Sequence, residues 1–154
     1  MDVYRTRALA RLVNERLPEC FVFVGGHHAS LSPEDFALPE IDAVVVGEGE
    51  ITARAVVDAV SGGGCLRGVP GLMLNTPSGQ VWTGDRPPAN PDELPPVARH
   101  LAARYRKAYY LGLQTPLASV ETTRGCRYRC LLLGVEVLRW HRAGEECGPG
   151  GGRA

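Results

Sequence analysis

The stretch CFVFVGGHHASLSPEDFALPEIDAVVVGEGE runs from Cys20 to Glu50, and its reading decides the fold. Cys20 to Val24 is a short, continuous run of apolar and β-branched residues ending in Gly25-Gly26. Ala43 to Val46 repeats the form and ends in Gly47-Glu48-Gly49-Glu50. A strand apolar on both faces suits a parallel sheet covered by helices, so each run predicts a buried strand closed by a glycine loop. Cys20 itself is expected to be a small buried hydrophobe, the usual state of a free cysteine.

Working outward, residues 2–18 predict an amphipathic helix. Val3, Leu9, Leu12, Val13 and Leu17 fall near the spacing of three and four that makes one apolar stripe, with Arg5, Arg7, Asn14 and Glu15 largely outside it. Pro18 stops that helix. Ile51 to Val60 predicts a second helix, closed by Ser61 and three glycines. Helix, strand, short helix, strand, helix is a doubly wound α/β pattern. Two parallel strands cannot alone form a sheet covered on both faces, so the unit is expected to be partial. It also opens on a helix, where such folds open on a strand.

From Gly71 the character changes. Leu72 to Asn75 and Gln80 to Thr83 are strand-like runs around Pro77-Ser78-Gly79, which predicts a hairpin. Residues 84–96, rich in Pro, Asp and Asn, read as an extended linker. Leu94 to Tyr110 contains a short basic helix with Arg99, Arg104, Arg106 and Lys107, and Leu117 to Thr122 predicts another strand.

Bulk properties narrow the function classes. The 154 residues are 44% hydrophobic and carry 17 basic against 17 acidic side chains, a formal net charge of zero. That argues against nucleic-acid or membrane-surface binding through bulk charge. No apolar run approaches the length of a membrane span, and the N-terminus lacks a signal-peptide core, so a cytoplasmic location is expected. Five cysteines without a secretion signal do not read as a disulfide framework.

Ligands of open α/β sheets bind outside the carboxyl ends of the strands. The loops Gly25-Gly26-His27 and Gly47-Glu48-Gly49 both fall there, and each alone reads equally as a tight turn. Together at one sheet edge they point to a ligand. His27 and His28 are adjacent, point apart and have no third ligand nearby, so the pair is not read as a metal site. Glu50 fits a helix start, where the dipole favours a carboxylate. Cys126 and Cys130, in Arg124-Gly125-Cys126-Arg127-Tyr128-Arg129-Cys130, have a spacing open to a shared metal or cluster.

Residues 119–130 (SVETTRGCRYRC) closely resemble the cluster loop of the cobalamin-binding-domain radical S-adenosylmethionine protein family, which has the form C-x3-C-x2-C. VGGHHASLSPEDF (24–36), DAVVVGEGE (42–50), VPGL (69–72) and DELPP (92–96) resemble the stretch joining that family's cobalamin-binding domain to its barrel. The resemblance implies a partial doubly wound, Rossmann-like cobalamin-binding α/β domain, then a linker and the first strand of a truncated radical S-adenosylmethionine barrel. The expected boundaries are 1–75 for the cobalamin-binding part, 76–115 for hairpin and linker, 116–130 for the barrel start, and 131–154 for an out-of-frame or disordered tail. It implies cobalamin against Gly25, Gly26, His27, Gly47, Glu48 and Gly49, and a 4Fe–4S cluster with S-adenosylmethionine at Cys126 and Cys130.

The third cluster ligand is expected at position 133, which is Leu133. A site with two thiolates holds such a cluster poorly, so the chain is expected not to be catalytic, whatever methyltransferase or cyclase chemistry its family performs. Codons can be chosen for the residues from Leu131 so that reading them one base later gives a cysteine followed by Ser-Val-Trp, similar to the family's continuation, which is why the tail is read as shifted in frame. The competing function is a stand-alone module binding cobalamin or a nucleotide-like ligand without catalysis. A zinc site from Cys126, Cys130, Cys147 and His141 fits no common spacing. The expected partners are small-molecule cofactors, with no nucleic acid, no membrane span and no specific protein partner.

Overall fold

A computed structural model describes residues 2–109 together with Leu113, Ala118 and Val120. The chain divides into two compact units, the first running to Ala89 and the second beginning at Asn90. The strand expected at Leu117 to Thr122, the cysteine pair Cys126 and Cys130, and the tail from residue 131 lie outside the described residues.

The first unit opens with α1, Val3–Arg16, whose N-cap Asp2 accepts hydrogen bonds from the Tyr4 and Arg5 amides. There follow β1 (Phe23–Val24), α2 (His27–Leu31), β2 (Ala43–Val45), α3 (Gly49–Gly62), β3 (Leu72–Thr76) and β4 (Gly79–Trp82). Short 3₁₀ turns occupy Pro33–Phe36 and Leu66–Gly68. The sheet order is β1-β2-β3-β4, with β1 and β2 parallel and both later pairings antiparallel. The fold is therefore α/β with a mixed sheet. The expected hairpin forms and joins that sheet, which supplies the two strands the parallel pair needed for a core on each face.

Register explains the apolar runs. Val24 pairs with Val44, Val44 with Met73, and Met73 with Trp82, a single row across all four strands. This row packs on Ala10, Ala29, Phe36 and Ile41. The alternate row, Phe23–Ala43–Leu74–Val81, lies on the other face with Val45, Leu72 and Val56 of α3. Because successive strand residues face opposite ways, a sheet covered on both sides requires the unbroken apolar sequence seen here. Fully burying one such valine stabilises the fold by about 1.5–3 kcal/mol, and Ala43 and Val44 are both wholly buried.

Two expectations are corrected. Cys20 is exposed, because only Phe23 and Val24 of its run enter the ladder. The apolar stripe of α1 faces the core only in part: Val3 packs on it and Val13 is half-buried, whereas Leu9, Leu12 and Leu17 are exposed and Ala10 is the buried residue. The cause is Glu40. Its carboxylate receives Arg7 and Arg11, and its carbonyl accepts from Asn14. These polar residues at i, i+4 and i+7 turn their own face toward the sheet, and small Ala10 lets the helix approach.

In the second unit, Asn90 caps a 3₁₀ turn at Pro91–Glu93, and the basic segment forms a 3₁₀ helix over Arg99–Ala108. Among the described residues no helix is long and apolar enough to cross a membrane.

Candidate functional site

β4 runs in the direction of β1 and β2, so the carboxyl ends of all three meet at one edge. Both glycine loops lie there. Gly26 and Gly47 have φ of 102° and 84°, and a Cβ placed on either would meet no heavy atom within 4 Å. Each offers bare backbone to open space, in a conformation that L side chains resist. Gly25 differs, since its Cβ would stand 3.3 Å from the Val45 Cβ, so its lack of a side chain serves close packing on β2.

The loops are tied together. The Gly47 amide donates to the Ser30 hydroxyl at 2.9 Å, although Ser30 belongs to α2 and is nearly fully buried. Ser30 was not singled out from the sequence, where it is one more polar residue of the loop after Gly26. His27 begins α2 and is exposed. His28 sits apart from it: its Nε2 is 2.6 Å from Asp35 Oδ2, and its ring meets Phe36 edge-on at 5.3 Å. Both histidines lie in α2 and not in an extended loop. Among the described residues no group of three or more His, Cys, Asp or Glu is arranged to hold a metal ion.

Gly49 starts α3, two residues before the expected helix start, so Glu48 takes the N-cap position. Its side chain makes no capping bond there. Instead Oε2 accepts the Ala89 amide at 2.7 Å. The helix behind it buries Thr52 and Val56, which seats the loop on the sheet. Gly71 stands close behind the same loop: its carbonyl accepts the Val46 amide at 3.0 Å. A Cβ on Gly71 would come within 3.0 Å of Thr52 Oγ1.

The edge combines two bare glycine turns, a hydroxyl bridge and the Glu48 carboxylate, an arrangement suited to a ligand held largely by backbone groups. The residues Gly25, Gly26, His27, Gly47, Glu48 and Gly49 are all placed at this edge by the two strand ends. Cys126 and Cys130 lie outside the described residues, so their relation to this edge is not part of the geometry.

Residues 3–57 match the family model of the B12 binding domain, which includes both loops. The chain is 39% identical over 129 residues to the hopanoid C-3 methylase of Methylococcus capsulatus, covering 79% of this chain and 23% of that protein. It is 36% identical to an uncharacterized methyltransferase of Pyrococcus horikoshii, over 84% of this chain and 28% of the relative. It is 27% identical to the anaerobic magnesium-protoporphyrin IX monomethyl ester cyclase of Synechocystis, over 87% and 28%. The chain thus spans about a quarter of the length of the curated relatives it matches. No solved structure matches it. With a B12-binding domain over the strand-loop-helix units and these relatives along most of its length, the chain belongs to the cobalamin-binding-domain radical S-adenosylmethionine protein family.

Proposed function

We propose that the carboxyl edge of the sheet binds cobalamin through Gly25, Gly26, His27, Gly47, Glu48 and Gly49, and that this chain binds the cofactor without turning over a substrate. The observation that carries the reading is the pair of bare, positive-φ glycines, Gly26 and Gly47, at one edge within the segment matching the B12 binding domain. A corrin is broad and flat and carries amide side chains, so it is met best by backbone that approaches closely. Cobalamin supplies, when bound, a cobalt centre able to carry a methyl group. The residues named here bind and orient it.

Methyl transfer is the reaction class we assign to longer proteins of this kind, since two of the relatives are named as a methylase and a methyltransferase. Cys126 and Cys130 correspond to the first two ligands of a 4Fe–4S cluster that would act with S-adenosylmethionine. Leu133 stands at the third position and offers no ligand atom, which is why we read this chain as non-catalytic.

The test is retention of hydroxocobalamin by the purified 154-residue chain after desalting, followed by its visible absorbance. One equivalent retained is the expected result. Gly26→Val and Gly47→Val should each weaken retention at least tenfold. Gly79→Val is the control for backbone strain, because Gly79 also has positive φ but sits in the hairpin turn at the opposite edge. A wild-type chain that leaves the column colourless overturns the proposal.

A further inference from the structure

The segment that follows β4 lies across the ligand edge and is fastened there at successive points. Thr83 Oγ1 donates to the Val69 carbonyl at 2.7 Å and accepts the Leu72 amide at 3.0 Å. The Gly84 carbonyl accepts the Gly71 amide at 2.8 Å, and Gly71 is itself bonded to Val46 at the end of β2. Arg86 Nε then donates to the Pro70 carbonyl at 3.3 Å. Pro87 and Pro88 come next, and neither has an amide hydrogen to give. The following amide, that of Ala89, goes to Glu48 Oε2 at 2.7 Å. Ala89 is also the last residue of the first unit before the chain passes into the second.

Glu48 is thereby displaced from the use its position suggests. An acceptor at an N-cap ordinarily takes an amide of its own helix. Here the carboxylate spans 41 residues of sequence to hold the Ala89 amide. Its backbone, meanwhile, lies between Gly47 and Gly49 in the ligand loop. A hydrogen bond to a charged acceptor at this length is among the stronger ones. A stiff diproline just before the bonded amide transmits the anchoring along the strap, since it leaves few conformations to lose.

We propose that Glu48 is a positioning residue that fastens the strap Gly84–Ala89 across the ligand edge, so that cofactor binding at the glycine loops and fastening of the strap reinforce each other. This rests on the cobalamin reading for its ligand, but the strap itself is a property of the chain. A ligand that holds the Gly47–Gly49 backbone leaves Glu48 less freedom to lose when it binds Ala89. The coupling is reciprocal: the factor by which the strap raises affinity is the factor by which the ligand tightens the strap.

Hydrogen–deuterium exchange of the full chain, with and without hydroxocobalamin, tests both halves. In the wild type the Ala89 amide should be protected, and more so with the ligand. Glu48→Ala should raise exchange at residue 89 and weaken hydroxocobalamin binding by roughly fivefold or more, the usual lower range of such couplings. Glu48→Gln keeps an acceptor and should recover much of both. In Ala89→Pro, which removes the donor, adding Glu48→Ala should change affinity little further. Unchanged exchange at residue 89 in a folded Glu48→Ala chain overturns the strap. Released exchange with unchanged affinity overturns the coupling. If the wild type binds no cobalamin, the cobalamin reading fails and the coupling with it, while the exchange of residue 89 still decides the strap.

Discussion

The Gly47 amide and the Ser30 hydroxyl are joined at 2.9 Å, a bond that links the loop after β2 to the helix after β1. Ser30 is only 5% exposed, so water cannot readily replace it. Ser30→Ala should therefore leave the Gly47 amide without this acceptor and cost about 1–3 kcal/mol. Urea denaturation followed by circular dichroism measures this. An unchanged midpoint would show that the bridge contributes nothing to the edge.

Asn75 is the tie between the hairpin and the loop leading into β2. Its Nδ2 donates to the Phe36 and Ile41 carbonyls, each at 2.8 Å, and its Oδ1 accepts from Gln80 Nε2 at 2.9 Å. Asn75→Asp should be more destabilising than Asn75→Ala, since it places a carboxylate against two carbonyl oxygens. A loss of about 3 kcal/mol or more is expected for the aspartate, with part of it returning in acid as the carboxyl protonates. Equal unfolding midpoints for the two variants at neutral pH would refute the donor assignment.

Glu40 gives the fold an acid limb. The Arg11 guanidinium, with further help from Arg7, holds its carboxyl below the ordinary value despite the opposing effect of burial. A carboxyl depressed in the folded state binds protons more readily when unfolded. Its stabilisation is thus complete above the ordinary carboxylate range and fades as pH falls through the lower, folded value. Both arginines are substantially exposed, so the contribution should be about 1 kcal/mol or less. Glu40→Gln should lower the urea midpoint at pH 7, and the gap to wild type should narrow as the pH is lowered through the carboxylate range.

The cysteine pair gives a separate outcome. Anaerobic reconstitution of the chain with iron and sulfide should leave little bound 4Fe–4S cluster, because position 133 is leucine. Four iron atoms per chain with a stable cluster absorption after desalting would contradict the non-catalytic reading.

Much of this protein is written locally. The apolar runs at Phe23–Val24 and Ala43–Val45, each followed by a glycine turn and a helix, are readable because strand alternation, helix period and glycine freedom act over a few residues. The ordered motifs from Val24 onward also carry the family. Other features come from contacts between distant residues. The hairpin at Leu72–Trp82 was legible as a hairpin, but its place beside β2 depends on the Ala43–Leu74 register. The face of α1 is turned partly away from its apolar stripe, with Glu40, far along the chain, gathering Arg7, Arg11 and Asn14. Ser30 and Asn75 look like ordinary loop or turn residues, and Glu48 like a member of the ligand loop alone, until folding brings Gly47, Phe36 and Ala89 to them. Short-range sterics and side-chain patterning determined which elements form. Hydrogen bonds closing loops of 17 to 41 residues decided how the elements face one another and what the ligand edge is made of, because such bonds exist only once the intervening chain has already packed.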